Sequence, residues 1–127
     1  MWPDPEAVQI RAARPDEVWR LREIEDSAGV AFSGLDLIDE DLDQSFPLSD
    51  LSRLVSLGQA WVACTADDVP VGMVLASVRD GAVYIEEMDV LPTHGRRGLG
   101  TRLLAFVCAW ASSQGYAAVT LSTFRDV

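Results

Sequence analysis

Residues 90–101, Val-Leu-Pro-Thr-His-Gly-Arg-Arg-Gly-Leu-Gly-Thr, constrain this chain more than any other part of it. They follow an apolar run at 82–90 that reads as a strand, and they lead into an amphipathic helix that starts near Gly98. A strand that breaks into two arginines and two glycines before a helix builds an anion site. The N–H groups of the first helical turn have no intrahelical partners, and the helix dipole adds positive potential there. Gly98 and Gly100 lack a Cβ, so an anion can approach the main chain closely. Arg96 and Arg97 bring charge suited to a diphosphate, with the option of bidentate hydrogen bonds. The loop is shaped for a phosphorylated ligand.

Other phosphate loops fit less well. A Walker A loop needs a Gly-Lys-Ser/Thr ending, and this chain has no lysine. A dinucleotide fingerprint needs a different glycine spacing near the start of the chain. A turn whose glycines serve geometry alone leaves the paired arginines without a role.

The elements around the loop follow from periodicity and turn chemistry. Residues 8–13 read as a first strand, with Gln9 and Arg11 alternating against Val8 and Ile10. Arg14-Pro15-Asp16-Glu17 opens a helix with apolar positions at Val18, Leu21, Ile24 and Ala28, expected to end at Gly29. Trp19 is expected to cover the flank of that apolar face. Ser49 is the expected cap of a second helix through Leu51, Leu54, Val55 and Leu57, ended by Gly58. Strands then follow at 60–65, 71–78 and 82–90, joined by Ala66-Asp67-Asp68 and by the hairpin turn Asp80-Gly81. They form an antiparallel meander. The helix from Gly98 to about Gln114 has Leu99, Leu103, Phe106, Val107 and Trp110 on its apolar stripe, and 117–121 returns as a strand. A helical crossover between 82–90 and 117–121 makes those strands parallel neighbours. The fold class is α/β with a mixed sheet, in a single domain spanning 1–127.

Composition narrows the partners. A formal net charge of −10 argues against nucleic acid, whose binding needs a basic surface. No apolar run is long enough to cross a bilayer, and the N-terminus lacks the basic and apolar regions of a secretory signal. Cys64 and Cys108 stand in no metal-ligand or redox spacing, so no metal is expected. Both read as reduced core residues of a cytoplasmic protein. Between Asp36 and Asp50 the chain carries six acids and no base: Asp36, Asp39, Glu40, Asp41, Asp43 and Asp50. This is either a solvated acidic loop or a field that draws a cationic amine.

Val90-x-Pro92, then Arg96-Arg97-Gly98-x-Gly100 and an apolar helix, resembles the acetyl-CoA signature of the GCN5-related N-acetyltransferases. The order of elements from residue 8 onward also resembles the N-terminal two-thirds of that fold. Gly95 stands where the family usually has Gln or Arg, and Arg96 is the neighbour able to take over that contact. The resemblance implies acetyl-CoA as donor, a primary amine of a small molecule or peptide as acceptor, and no metal. It implies that the main chain of Met88 and Val90 pairs with the pantetheine arm. It places the diphosphate against Arg96, Arg97, Gly98, Gly100 and Thr101.

Acetyl transfer to an amine needs a base, a polarised carbonyl and a proton for the leaving thiolate. Glu86 and Glu87 are the candidate bases. Strand alternation predicts that they face opposite sides, so at most one enters the cleft. The other is free to form a structural ion pair, with Arg79 as a candidate partner. His94, the only histidine, reads as a solvent-facing loop residue. In the resembled family a further helix and two strands follow the last strand seen here and commonly supply a tyrosine acid. Neither Tyr84 nor Tyr116 matches that position, so the resemblance implies a domain lacking its C-terminal part. Such a domain would expose the edge of 117–121 and pair with a second copy, giving a homodimer. A non-catalytic acyl-CoA-binding module is the alternative function.

Overall fold

The computed structural model describes residues 8–33, 47–95 and 98–121. Among them, five strands form one sheet in chain order: β1 (Gln9–Ala12), β2 (Ala60–Cys64), β3 (Pro70–Arg79), β4 (Ala82–Val90) and β5 (Val119–Leu121). The pairs from β1 to β4 are antiparallel, and β5 joins β4 in parallel. The crossover between them is helix α3 (Leu99–Ser113); helices α1 (Val18–Ser33) and α2 (Leu48–Ser56) precede β2. The mixed sheet expected from the sequence is the one that forms. Asp80 and Gly81 both have positive φ (52° and 78°), the conformation a two-residue hairpin turn between β3 and β4 demands.

Each sheet face has its own core, because successive strand side chains alternate. Met73 and Leu75 of β3 pack with Leu21 and Ile24 of α1 and with Leu51 and Leu54 of α2. Val74 and Ala76 pack with Val83 and Ile85 of β4 and with Leu103, Val107 and Ala111 of α3. Gly72 is where α3 and β4 come nearest to β3. A Cβ there would meet Asp89 O, Leu103 Cδ1 and Val90 Cγ2, each at 3.4 Å. Arg11 of β1 ties the sheet edge to the start of α1 through Glu17, with Nη1–Oε1 at 2.9 Å and Nη2–Oε2 at 2.8 Å.

Several local expectations are corrected. Helix α1 continues through Gly29 to Ser33, since one glycine costs a helix only about 1 kcal/mol. Trp19 is 68% exposed: the buried stripe runs through Leu21, Ile24 and Glu25, and Trp19 lies two positions off it. Pro47, not Ser49, is the N-cap of α2, so the helix begins two residues earlier than expected, at Leu48. Leu57 at its end is exposed, as is Phe106 on α3, where the buried stripe narrows to Leu99, Leu103, Val107 and Ala111. Of the two free cysteines, Cys64 is buried but Cys108 is exposed, one position beyond Val107 and off the stripe. His94 is half-buried, in a short 3-10 turn (Pro92–His94), with its Nδ1 2.9 Å from Thr93 Oγ1.

Candidate active site

The first part of β4 is paired on both sides. Val83, Tyr84 and Ile85 face Val119, Thr120 and Leu121 of β5, and the same three residues pair with Val78, Ser77 and Ala76 of β3. Residues 86–90 continue beyond the last described pair with β5, yet remain paired with β3. Leu91 N donates to Val71 O at 2.9 Å, and Ala76 N donates away from β4, to Gln59 O, at 3.0 Å. Backbone direction alternates along a strand. The N–H and C=O of Met88 and Val90 therefore point away from β3, toward the side where the described pairs with β5 end at Ile85. Among the described residues these main-chain groups have no strand partner.

A register shift lies at the join. Leu75 pairs with Glu87, but Ala76 pairs with Ile85, so Glu86 is an extra residue in β4, a β-bulge. The bulge changes the side-chain pattern. Ile85 and Met88, three apart, both pack on the α3 side. Glu87 lies opposite Leu75, on the α1 and α2 side. Glu86 is on that side too: Ser77 Oγ donates a hydrogen bond to its Oε2, and Arg79 Nη2 lies 3.3 Å from the same atom. The expectation that Glu86 and Glu87 face opposite sides is thus overturned, because strict alternation fails across a bulge. The expected pairing of one of them with Arg79 is present, and it belongs to Glu86.

Asp89 follows Glu87 on the same face and shares a hydrogen bond with it. Its Oδ2 is buried with no hydrogen-bond partner among the described residues. Burial, then the Glu87 hydrogen bond and charge, then the charge of Glu25 on α1, push the Asp89 carboxyl up to about 9. The protonated form of Asp89 is therefore favoured, and its carboxyl shares a hydrogen bond with Glu87. Glu25 is 7% exposed and sits 3.3 Å from Arg22, Oε1 to Nε. A carboxylic acid, Asp89, thus stands between Glu25 and Glu87 beneath α1.

At the far end of β4 the chain turns through Pro92–His94 toward α3. Gly98 caps that helix in the left-handed region, φ 74° and ψ 13°, which a side chain would strain. Its carbonyl accepts from Arg102 N at 3.0 Å, and among the described residues no side chain caps the first turn. The first-turn N–H groups are left for something other than a side-chain cap. A Cβ on Gly100 would lie 3.8 Å from Met88 Cε, so the helix start and the open part of β4 are in contact. Thr101 is exposed in the first turn. Arg96 and Arg97 lie outside the described residues, as does the acidic segment from Asp36 to Asp43.

The family model described as the acetyltransferase (GNAT) family matches residues 18–126. The chain belongs to that family. Its fold is shared with solved members at low sequence identity. A PaiA N-acetyltransferase from Thermoplasma acidophilum, in complex with coenzyme A, superposes with a TM-score of 0.80 at 15% identity, covering 94% of this chain and 80% of that one. A GNAT acetyltransferase from Listeria monocytogenes gives 0.78 at 12% identity, over 94% and 78%. A GNAT acetyltransferase from Brucella melitensis in complex with acetyl-CoA gives 0.68 at 19% identity, over 94% and 78%.

In this GNAT chain the predicted residues Glu86, Glu87, Met88, Val90, Gly98 and Gly100 fall along one continuous path, from the bulge to the start of α3. Sequence reasoning missed Glu25 and Asp89. Each left a signal. Asp89 is two residues from Glu87 on a strand, hence on the same face; Glu25 is a charge at the fourth position after Leu21, inside the apolar stripe of α1. Among the described residues, no helix is long and apolar enough to cross a membrane.

Proposed function

We propose that this chain is an acetyl-CoA-dependent N-acetyltransferase acting on a primary amine. The observation that carries the reading is the side of β4 that faces away from β3, where among the described residues pairing with β5 ends at Ile85. Met88 and Val90 present main-chain donors and acceptors there, in contact with a helix start that has no side-chain cap among those residues. An extended, amide-bearing pantetheine arm matches the first feature and a diphosphate the second. Bound acetyl-CoA supplies an activated thioester. Met88 and Val90 would hold the arm as an added strand does, while Gly98, Gly100 and Thr101 with Arg96 and Arg97 would hold the diphosphate. Solved relatives with coenzyme A or acetyl-CoA bound support this donor.

Glu87 is the base this geometry favours. It shares a hydrogen bond with Asp89, and its remaining oxygen sites are left to take a proton from an ammonium or from water. Glu86 is engaged by Ser77 and Arg79 and serves better to fix the bulge than to exchange protons. The amine would enter from the α1 and α2 side, opposite α3, where the carboxyl groups lie. Acidic residues 36–50 would add a field attractive to a cation. Calorimetric titration with acetyl-CoA tests the donor, and thiol release over a panel of amines tests transfer. Absence of binding at millimolar acetyl-CoA by a folded chain would refute the proposal. Tight binding without turnover of any amine would leave a cofactor-binding module in its place.

A further inference from the structure

Between α2 and the β3–β4 hairpin lies an open recess of about 280 Å³ lined by Arg53, Leu54, Ser77, Arg79 and Glu86. It lies on the α1 and α2 side of the sheet, the side of the bulge and its carboxyl groups. The chemistry of its wall is unequal. Glu86 takes a hydrogen bond from Ser77 and an ion pair from Arg79, and the Arg79 guanidinium is stacked over the Tyr84 ring at 4.3 Å. Two of these contacts engage Arg79, setting its charge against the Glu86 carboxylate and its plane against the Tyr84 ring. Among the described residues Arg53 has no ion-pair or hydrogen-bond partner for its guanidinium, although it stands on the same wall. A recess with one unmatched positive charge is unusual in a chain of net charge −10.

We propose that this recess receives a carboxylate carried by the acceptor, so that the acetylated amine belongs to an amino acid or a similar amino-carboxylic acid, with Arg53 as the specificity-determining residue. This deepens the reading of the chain as an acetyltransferase and rests on it. The charge count selects a carboxylate over a phosphate. One unmatched guanidinium balances a monoanion, whereas a dianion would sit against Glu86 with charge left over. Arg53 offers the paired N–H groups that hold a carboxylate in two places at once. Glu86 lines the same recess, and the neighbouring Glu87 lies on the same face of the sheet, so the proposal directs the amine of an acceptor anchored at Arg53 toward that base. The predicted substrate is therefore a zwitterion read at both ends: carboxylate at Arg53, amine at Glu87.

The test pairs each acid with its neutral amide: glycine with glycinamide, β-alanine with β-alaninamide, and 4-aminobutyrate with its amide. For at least one pair the wild-type chain should show a KM lower for the acid by about tenfold or more, the effect of one charge-assisted hydrogen bond. In Arg53→Gln the acid-to-amide ratio should collapse toward one, and Arg53→Lys should restore part of it. Arg53 is exposed, so acetyl-CoA affinity and melting temperature serve as controls for folding. Equal KM for acid and amide in every pair, or an equal loss for both in Arg53→Gln, overturns the proposal. A second measurement is independent of turnover. N-acetyl-β-alanine and its amide are titrated into labelled protein, and amide shifts at Arg53, Ser77 and Glu86 are followed. Saturable shifts for the acid only, absent in Arg53→Gln, support the recess even if no amine is turned over; identical responses to acid and amide refute it. Failure of acetyl-CoA to bind counts against the donor reading alone, because the titration needs no donor.

Discussion

The two parts of β4 differ in almost every physical respect. Residues 82–85 are hydrogen-bonded to strands on both sides and place Val83 and Ile85, at 0% and 4% exposure, in the core. Residues 86–90 keep β3 on one side, add a bulge, and gather acids where the first part has aliphatic groups. A strand can be scaffold and binding edge at once if only part of it is paired on both sides. Under the proposed function the first part carries stability, and the second offers main-chain groups to the donor. The acids there are half-buried, and burial favours the protonated form of Asp89.

The sharpest test of that division is Glu87→Gln against Glu86→Gln. Glu87→Gln should lower kcat by about 10²–10⁴, the usual contribution of a positioned base, with acetyl-CoA affinity within a few-fold of wild type. Glu86→Gln should instead act mainly on acceptor KM. Matching kcat losses in both variants, measured by thiol release, would remove the distinction drawn between them.

Next in size are the core substitutions. Ile85→Ala should cost about 2–5 kcal/mol in denaturant unfolding, as truncation of a buried aliphatic does. Met88→Ala, at a half-buried position, should cost less than Ile85→Ala yet weaken acetyl-CoA more. The reverse order would mean that the open part of the strand is the structural one. At the helix start, Arg97→Ala beside Arg96→Ala should weaken acetyl-CoA by about 1.5–3 kcal/mol per arginine while sparing a dephosphorylated pantetheine fragment. Equal weakening of both ligands would assign the arginines to the fold.

The last effect is a slope. Asp89 has a folded pKa well above its unfolded value, so the folded state binds the extra proton between the two. Its contribution to stability is therefore complete below about pH 4, the unfolded pKa. It declines as pH rises and is lost through the folded value near 9. Asp89→Asn should flatten stability against pH over that interval, measured by urea unfolding at several pH values. An unchanged slope would show that Asp89 is ionised in the folded chain.

Much of this was legible in the sequence, because it was written in local signals. The Asp80-Gly81 turn, the aliphatic runs of β2 and β3 and the glycine pair at α3 each fix one element by local chemistry. The parallel placement of β5 followed from a crossover rule. The bulge was not legible. No local preference of Glu86 demands an extra residue; it arises from how β3 and β4 settle against helices on opposite faces. Trp19 and Phe106 were misjudged for a related reason. An apolar residue near a helical stripe is buried only if a neighbouring element reaches it, and reach is a tertiary property.

One consequence of the bulge concerns counting. Every residue of β4 beyond Glu86 has its parity set by that single insertion, so odd and even positions exchange roles there. A ladder without the bulge, with Glu86 paired opposite Leu75, would reverse the phase of 87–90. Glu87 and Asp89 would then turn into the aliphatic layer under α3, and Met88 and Val90 would spend their amides on β3. The site is in this sense an arithmetic fact, held by one residue that β3 does not match.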